Sequence, residues 1–125
     1  MKDIENRNDV EQLVGLFYKK AIHDTVIGHF FTAVIPISWE KHIPLIVSFW
    51  ESILFGNASY RGNPMEKHIE LSRLSKMEAH HFERWLKLWK ETTDENFAGP
   101  KANEAKVRAE AIARLMLHNV QAAHN

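Results

Sequence analysis

His68 is the residue of this chain whose setting best suits coordination of a metal ion. It lies in a short run, residues 62–71, between two long segments with helical periodicity. Pro64 in that run is typical of a first helical position. Each flanking segment carries an apolar stripe with one histidine set into it, His42 before the run and His81 after it. An imidazole on a single helical turn, facing an apolar slot, could hold a flat apolar cofactor by its metal.

Aromatic residues accompany these histidines in larger number than the packing of a small helical bundle requires. The set is Phe17, Phe31, Phe49, Trp50 and Trp85, beside the polar residues Tyr18 and His42. A single histidine on an apolar face is more often a core residue than a ligand. The combination nevertheless matches what an iron porphyrin needs: one neutral imidazole ligand, apolar walls for both faces, and one or two hydrogen-bond donors opposite the ligand. The residue types therefore favour a haem site.

Other metal and catalytic sites have less support. The chain has no cysteine, which excludes disulfides, thiolate zinc or iron–sulfur sites and a thiol nucleophile. Glu78 and His81 form one Glu-x-x-His pair, whereas a carboxylate-bridged di-iron bundle needs two such pairs and two further glutamates. His80 and His81 are about 100° apart on a helix, so they cannot share one ion without distortion. The sequence also lacks a His-Glu-x-x-His motif, a nucleophile elbow and a phosphate-binding glycine loop.

Length and charge narrow the class of protein. The 125 residues are predicted to form one domain, 1–125, and 45% hydrophobic with 26% charged residues is typical of a globular chain. The 16 basic and 16 acidic residues cancel, which removes the electrostatic case for a nucleic-acid or anionic-membrane partner. Residues 1–10 have no signal-peptide core, and no apolar run is long enough to span a bilayer. We expect a cytoplasmic protein, and the neutral charge favours a monomer.

Hydrophobic periodicity predicts four long helices and two short pieces, near 29–31 and 64–69, so the expected fold class is all-α. The first helix is predicted to be capped by Asn8 or Asp9, with Glu11 in a capping-box position, and to reach His23 or Asp24. The other predicted boundaries are Ser38 and Gly56 for the second helix, Ser75 with Glu78 and then Asp94 for the third, and Pro100 for the start of the fourth.

The sequence resembles the truncated haemoglobins, most closely group III, in segments spread from residue 9 to 117. The matching segments are LVGLFY (13–18), IGHFF (27–31), WEKH (39–42), FW (49–50), YRGNPMEKH (60–68) and HFERWLKLW (81–89). The family fold is a two-over-two helical sandwich around haem, with a reduced helix that carries the proximal histidine. The predicted turn at 64–69 fits that helix. Ser72 departs from the family, in which proline often follows the leucine, and this departure could loosen the segment behind His68.

The resemblance implies haem b as the cofactor and His68 as the proximal iron ligand. It also implies that Tyr18, His42 and Trp85 lie on the distal side, where external ligands bind. The other predicted pocket residues are Phe17, Phe31 on the haem edge, Ile46 on the distal side, Phe49 and Trp50. The two haem propionates would pair with basic residues, for which the candidates are Lys67, Arg73 and Arg84.

The resemblance further implies a protein that binds O₂, NO or CO at ferrous iron. One hydrogen bond from Tyr18 or Trp85 worth about 1.5–3 kcal/mol would slow ligand release by roughly 10- to 150-fold. Two would suit oxygen, NO or peroxide chemistry better than transport. His42 would act as a gate, as a proton donor, or as an iron ligand when no gas is bound. Two alternatives stay open: a haem enzyme with NO dioxygenase or peroxidase-like activity and an external electron donor, and a cofactor-free helical interaction module.

Overall fold

Four long α-helices make up the described part of the chain. A computed structural model describes residues 1–30, 39–56 and 77–124, of which 39–42, 123 and 124 are described by their backbone alone. The helices are α1 (Arg7–Ala21), α2 (Trp39–Phe55), α3 (Ala79–Asn96) and α4 (Pro100–His124). No strand occurs in these ranges, so the all-α prediction is confirmed. Ser38, the predicted cap of α2, and the predicted turn at 64–69 lie outside them.

The helices pack as two pairs. α1 lies on α2 and α3 lies on α4, while α1 also contacts α3 and α2 also contacts α4. This arrangement agrees with the two-over-two sandwich that the family resemblance implies, and an apolar core lies between the pairs. Within the ranges described, no helix combines the length and the hydropathy that a bilayer crossing requires.

The cap of α1 is Asn6, so the prediction of Asn8 or Asp9 was wrong. The Asn6 side chain accepts a hydrogen bond from the Asp9 N–H at 3.1 Å. Asp9 is buried, and its carboxylate accepts from Lys2 Nζ at 2.7 Å and from the Glu5 N–H at 2.8 Å. Because residues 2–5 fold back onto the first turn, the earlier asparagine becomes the cap. Asn6 and Asn8 are each followed three positions later by an acidic residue, Asp9 and Glu11. Local spacing therefore cannot distinguish which asparagine is the cap.

The C-terminal end of α2 lies where the sequence predicts it, whereas the start of α3 does not. Gly56 ends α2 as predicted, with φ of 71°, in the left-handed region that favours glycine. α3 begins at Ala79 with Glu78 as its N-cap, so the predicted start at Ser75 was too early. The Glu78 N–H donates to Nδ1 of His81 at 2.8 Å. A histidine thus takes the place that glutamate or glutamine usually holds in a capping box.

The start of α4 is fastened by the N-terminal segment. Pro100 begins the helix as predicted. The Asp3 carboxylate accepts hydrogen bonds from the Lys101 N–H at 2.9 Å and the Ala102 N–H at 2.8 Å. Gly99 has φ of 140°, and a Cβ there would lie 2.6 Å from Cγ of Asp3. The first turn of α4 is therefore capped by a residue from the other end of the chain.

Replacing Asp3 by alanine should lower the free energy of unfolding by about 1–2 kcal/mol, the usual cost of removing a helix N-cap. Urea denaturation measures the loss. The matched control is Asp94→Ala, because the Asp94 carboxylate is 60% exposed and pairs with Lys106 at the surface. That exposed pair should contribute less than about 0.5 kcal/mol. Equal losses in the two variants would show that Asp3 is not a helix cap in solution.

Candidate functional site

Phe17 is the centre of an aromatic cluster between α1 and α3. Its ring meets the ring of Tyr18 edge to face at a centroid distance of 5.1 Å. It makes the same kind of contact with Trp85 at 6.1 Å and with Trp89 at 5.3 Å. The structure therefore brings together three predicted site residues, Tyr18, Phe17 and Trp85, from helices far apart in the sequence.

Tyr18 carries the buried hydroxyl of this cluster. The residue is 9% exposed, and burial raises the pKa of its phenol well above the usual range. The phenol is therefore neutral at every physiological pH. A neutral phenol can donate a hydrogen bond to a ligand that carries partial negative charge.

Trp85 and Trp89 differ in what their indole N–H groups contact. Trp89 is buried, and its Nε1–H donates to the carbonyl oxygen of Ala105 at 3.2 Å. Trp85, one turn earlier, is half-buried, and no side chain or carbonyl in the described ranges accepts a hydrogen bond from its Nε1–H. The Trp85 indole can therefore act as a donor to a ligand, whereas the Trp89 indole already has its partner.

Residues of α2 form the apolar side of the cluster. Ile46 and Phe49 are half-buried and pack against the main core. Trp50 is buried, and its ring stacks on that of Trp89 at 4.5 Å. Because Trp50 lies in the core stack, its predicted contact with a cofactor stays a prediction.

Several predicted site residues lie outside the described side chains, so their roles also stay predictions. They are His68, Phe31, His42, Lys67 and Arg73.

Arg84 joins α3 to the turn after α1. Its Nε and Nη2 lie 2.8 and 2.6 Å from Oδ1 of Asp24, whose side chain is 4% exposed. The other Asp24 oxygen accepts from the N–H groups of Val26 and Ile27 at 3.0 and 3.1 Å. Nothing in the sequence indicates this pair, because the local pattern predicts only a helix end at Asp24. The ion pair connects α3, at the residue before Trp85, to the turn that follows α1. The role of Arg84 as a propionate partner stays a prediction.

The hydrogen bond from Arg84 holds the pKa of Asp24 below its ordinary value of 3.8, with help from the two backbone N–H groups. Because the folded pKa is lowered, the stabilisation is fully present above 3.8 and is lost as pH falls through the folded value. Asp24→Asn should therefore lower the free energy of unfolding by about 1–3 kcal/mol near neutral pH. It should also weaken the decrease in that free energy as the pH falls into the acid range. Urea denaturation at a series of pH values measures both. The exposed control Asp94→Asn should change the free energy of unfolding at neutral pH by less than about 0.5 kcal/mol. An Asp24→Asn protein with the same pH dependence of stability as wild type would contradict the assignment.

A histidine cluster lies at the start of α3. The centroid of the His81 ring is 4.0 Å from that of His80 and 6.0 Å from that of His29, and the rings of His81 and Phe30 are nearly perpendicular at 4.8 Å. Burial and the two neighbouring histidines lower the pKa of His81. Its Nδ1 accepts the Glu78 N–H, so the proton of the neutral ring is on Nε2. In the described ranges no three ligand-type side chains are grouped to hold a metal ion.

Two comparisons connect this arrangement to known proteins, although no family model matches the chain. A curated protein described as group 3 truncated hemoglobin ctb, from Campylobacter jejuni, is 32% identical over 111 residues, which cover 86% of this chain and 85% of that protein. The crystal structure of group III truncated hemoglobin from Campylobacter jejuni matches with a TM-score of 0.83 and 30% identity, over 96% of this chain and 95% of that one. Identity at this level over nearly the whole of both chains shows shared ancestry and confirms the resemblance seen in the sequence. The chain belongs to the truncated haemoglobin family and is most like its group III.

Proposed function

We propose that the chain holds haem b through His68 and binds O₂, NO or CO with slow release on the side of Tyr18 and Trp85. The observation that carries the proposal is the meeting of a buried phenol and a half-buried indole on the ring of Phe17. Membership of the truncated haemoglobin family supports the cofactor.

The described residues fit a flat apolar macrocycle. Ile46 and Phe49 provide half-buried aliphatic and aromatic surface, Phe17 is a buried aromatic of the core, and none of them carries a charge. Tyr18 and Trp85 add two neutral donors to this surface. An apolar pocket with a few well-placed polar groups is the usual form of a cofactor site. When bound, haem supplies an iron that takes a diatomic ligand or peroxide at its open position.

The chain's own residues control the ligand by hydrogen bonding and by excluding water. The Tyr18 hydroxyl and the Trp85 N–H donate to the partial negative charge on the ligand, and apolar surroundings strengthen both bonds. The pair between Arg84 and Asp24 holds α3 next to the end of α1, so the two donors keep their positions. Two donors retain the ligand for longer than one, which favours oxygen, NO or peroxide chemistry over transport.

His42 is proposed as the third distal residue, and Lys67, Arg73 and Arg84 as candidates to pair with the propionates. On α2, His42 stands one turn before Ile46. It would serve as a gate, as a proton donor, or as an iron ligand in the absence of gas.

A second candidate function is catalytic: NO dioxygenation or a peroxidase-like reaction with electrons from an external donor. Slow release favours this candidate, because a ligand that stays bound has time to react. Both functions, ligand binding with slow release and catalysis, therefore depend on the same two hydrogen-bond donors, Tyr18 and Trp85.

The test begins with a haemin titration of the purified chain. A Soret band that saturates at a fixed haem-to-protein ratio is expected, followed by spectral changes when the ferrous form receives O₂ or CO. Failure to form the band would support the cofactor-free interaction module instead. Stopped-flow mixing of the oxygenated form with NO, and of the ferric form with hydrogen peroxide, then separates ligand storage from the two enzymatic reactions.

A further inference from the structure

A column in the core contains three of the four tryptophans: Trp85, Trp89 and Trp50. Of these, only Trp85 takes part in the proposed ligand binding. The rings of Trp85 and Trp89 are nearly parallel, 7° apart, with centroids separated by 6.3 Å. Trp89 and Trp50 lie closer, at 4.5 Å and 17°. The column therefore runs from the proposed distal side on α3 across to α2.

The two inner tryptophans of the column, Trp89 and Trp50, are more buried than Trp85. Trp85 is half-buried, whereas Trp89 is 1% exposed and Trp50 is 3% exposed. Phe17 places its ring at 82° to Trp85 and at 76° to Trp89. The contacts with Phe17 hold the rings of Trp85 and Trp89 in place, and burial keeps dissolved oxidants away from Trp89 and Trp50.

The chemistry of indole suits such a column to the loss of one electron. Indole is among the most easily oxidised side chains, and two stacked indoles share the positive charge that remains. The Nε1–H of Trp89 donates to the Ala105 carbonyl oxygen. An amide carbonyl is too weak a base to take that proton. An oxidised Trp89 therefore keeps its proton and can be restored by one electron alone.

We propose that the column of Trp85, Trp89 and Trp50 supplies one electron to the haem site when hydrogen peroxide reacts there, and then holds the positive charge on its two inner rings. This inference rests on the proposed haem binding. In the balanced step, the O–O bond of one hydrogen peroxide would break as two electrons pass to it, one from the column and one from the ferric haem, and one water would leave while the other oxygen stays at the haem site. An external one-electron donor would then return two electrons in succession, and with two protons from solvent the second oxygen would leave as water and the column would be restored.

The experiment mixes ferric holoprotein with equimolar hydrogen peroxide, freezes it rapidly and records the electron paramagnetic resonance spectrum. A tryptophan radical is expected. Peptide mass spectrometry of a thawed portion should then find oxidation at Trp89 and Trp50. Haem-free protein given the same peroxide should leave both residues unmodified, because their burial prevents direct attack.

The informative variant is Trp89→Phe, which keeps an aromatic ring and removes the easily oxidised indole. It should retain the Soret band but lose both the long-lived radical and the oxidation of Trp50. Phe97→Leu, a change at another buried aromatic, controls for altered packing and should keep both signals.

Two results would overturn the inference while haem binding stands. One is a haem-loaded wild type in which peroxide produces no tryptophan radical and no modified tryptophan. The other is a Trp89→Phe protein with the same radical and the same Trp50 oxidation as wild type. A chain that forms no Soret band at all would instead overturn the proposed function, and the inference with it.

Discussion

Haem is expected to be lost from a His68→Ala protein under conditions in which wild type retains it. The imidazole is the proposed ligand of the iron, whereas the apolar walls and the ion pairs proposed for the propionates make no bond to the metal. Removing a residue that only hydrogen-bonds to a metal ligand already lowers metal affinity by roughly 10- to 100-fold. Removing the ligand itself should therefore lower haem affinity by more than about 100-fold. Transfer of haem to an excess of a scavenging apoprotein measures the rate, and the ferrous absorption spectrum reports the change in ligation.

Two other histidines provide controls for this prediction. His23 and His118 are exposed, and their alanine variants should retain haem as wild type does. A His68→Gly protein with added imidazole should recover the wild-type ferrous spectrum, because the free base can occupy the vacated space. A His68→Ala protein with an unaltered ferrous spectrum would show that another residue holds the iron.

The helix boundaries show which parts of the fold local sequence can predict. Gly56 and Pro100 were predicted correctly, because a left-handed glycine and a first-turn proline act through their own backbone. The caps at Asn6 and Glu78 were not predicted, because other residues that can cap a helix, such as Asn8 and Ser75, lie close by in the sequence. Tertiary contacts, which local sequence does not contain, determine which residue is the cap. The capping of α4 by Asp3 could not be predicted, since nothing local to Pro100 indicates a partner from the N-terminal segment.

The candidate site divides in the same way. Tyr18 and Trp85 were assigned through the resemblance, and the structure places both on Phe17. Periodicity could not distinguish the roles of Trp85 and Trp89, because residues four apart share a helix face. The difference comes from α4, where the carbonyl of Ala105 accepts the Trp89 N–H. Contacts between helices that are distant in sequence therefore decide which indole is available to a ligand.

Tyr18→Phe should speed O₂ release from the ferrous holoprotein by roughly 10- to 150-fold, the equivalent of one hydrogen bond of about 1.5–3 kcal/mol. The change removes only the hydroxyl, and the ring keeps its edge contact with Phe17. CO carries less negative charge than O₂ when bound, so its release should change much less. Stopped-flow displacement of O₂ by CO measures the rate. An unchanged O₂ off-rate would remove Tyr18 from the donors.

The same experiment on Trp85→Phe and on the double variant tests whether the two donors act on one ligand. If both donate to it, the effects of the single changes should not be additive, because the remaining donor can move closer once the other is gone. Thr93→Val is the control for loss of a buried hydroxyl, since the Thr93 hydroxyl donates to the Trp89 carbonyl within α3 at 2.8 Å. Trp89→Phe is the control for loss of an indole that already has a protein partner. Both controls should release O₂ at close to the wild-type rate, and an acceleration in Trp89→Phe equal to that in Trp85→Phe would mean that general packing, not a hydrogen bond from Trp85, retains the ligand.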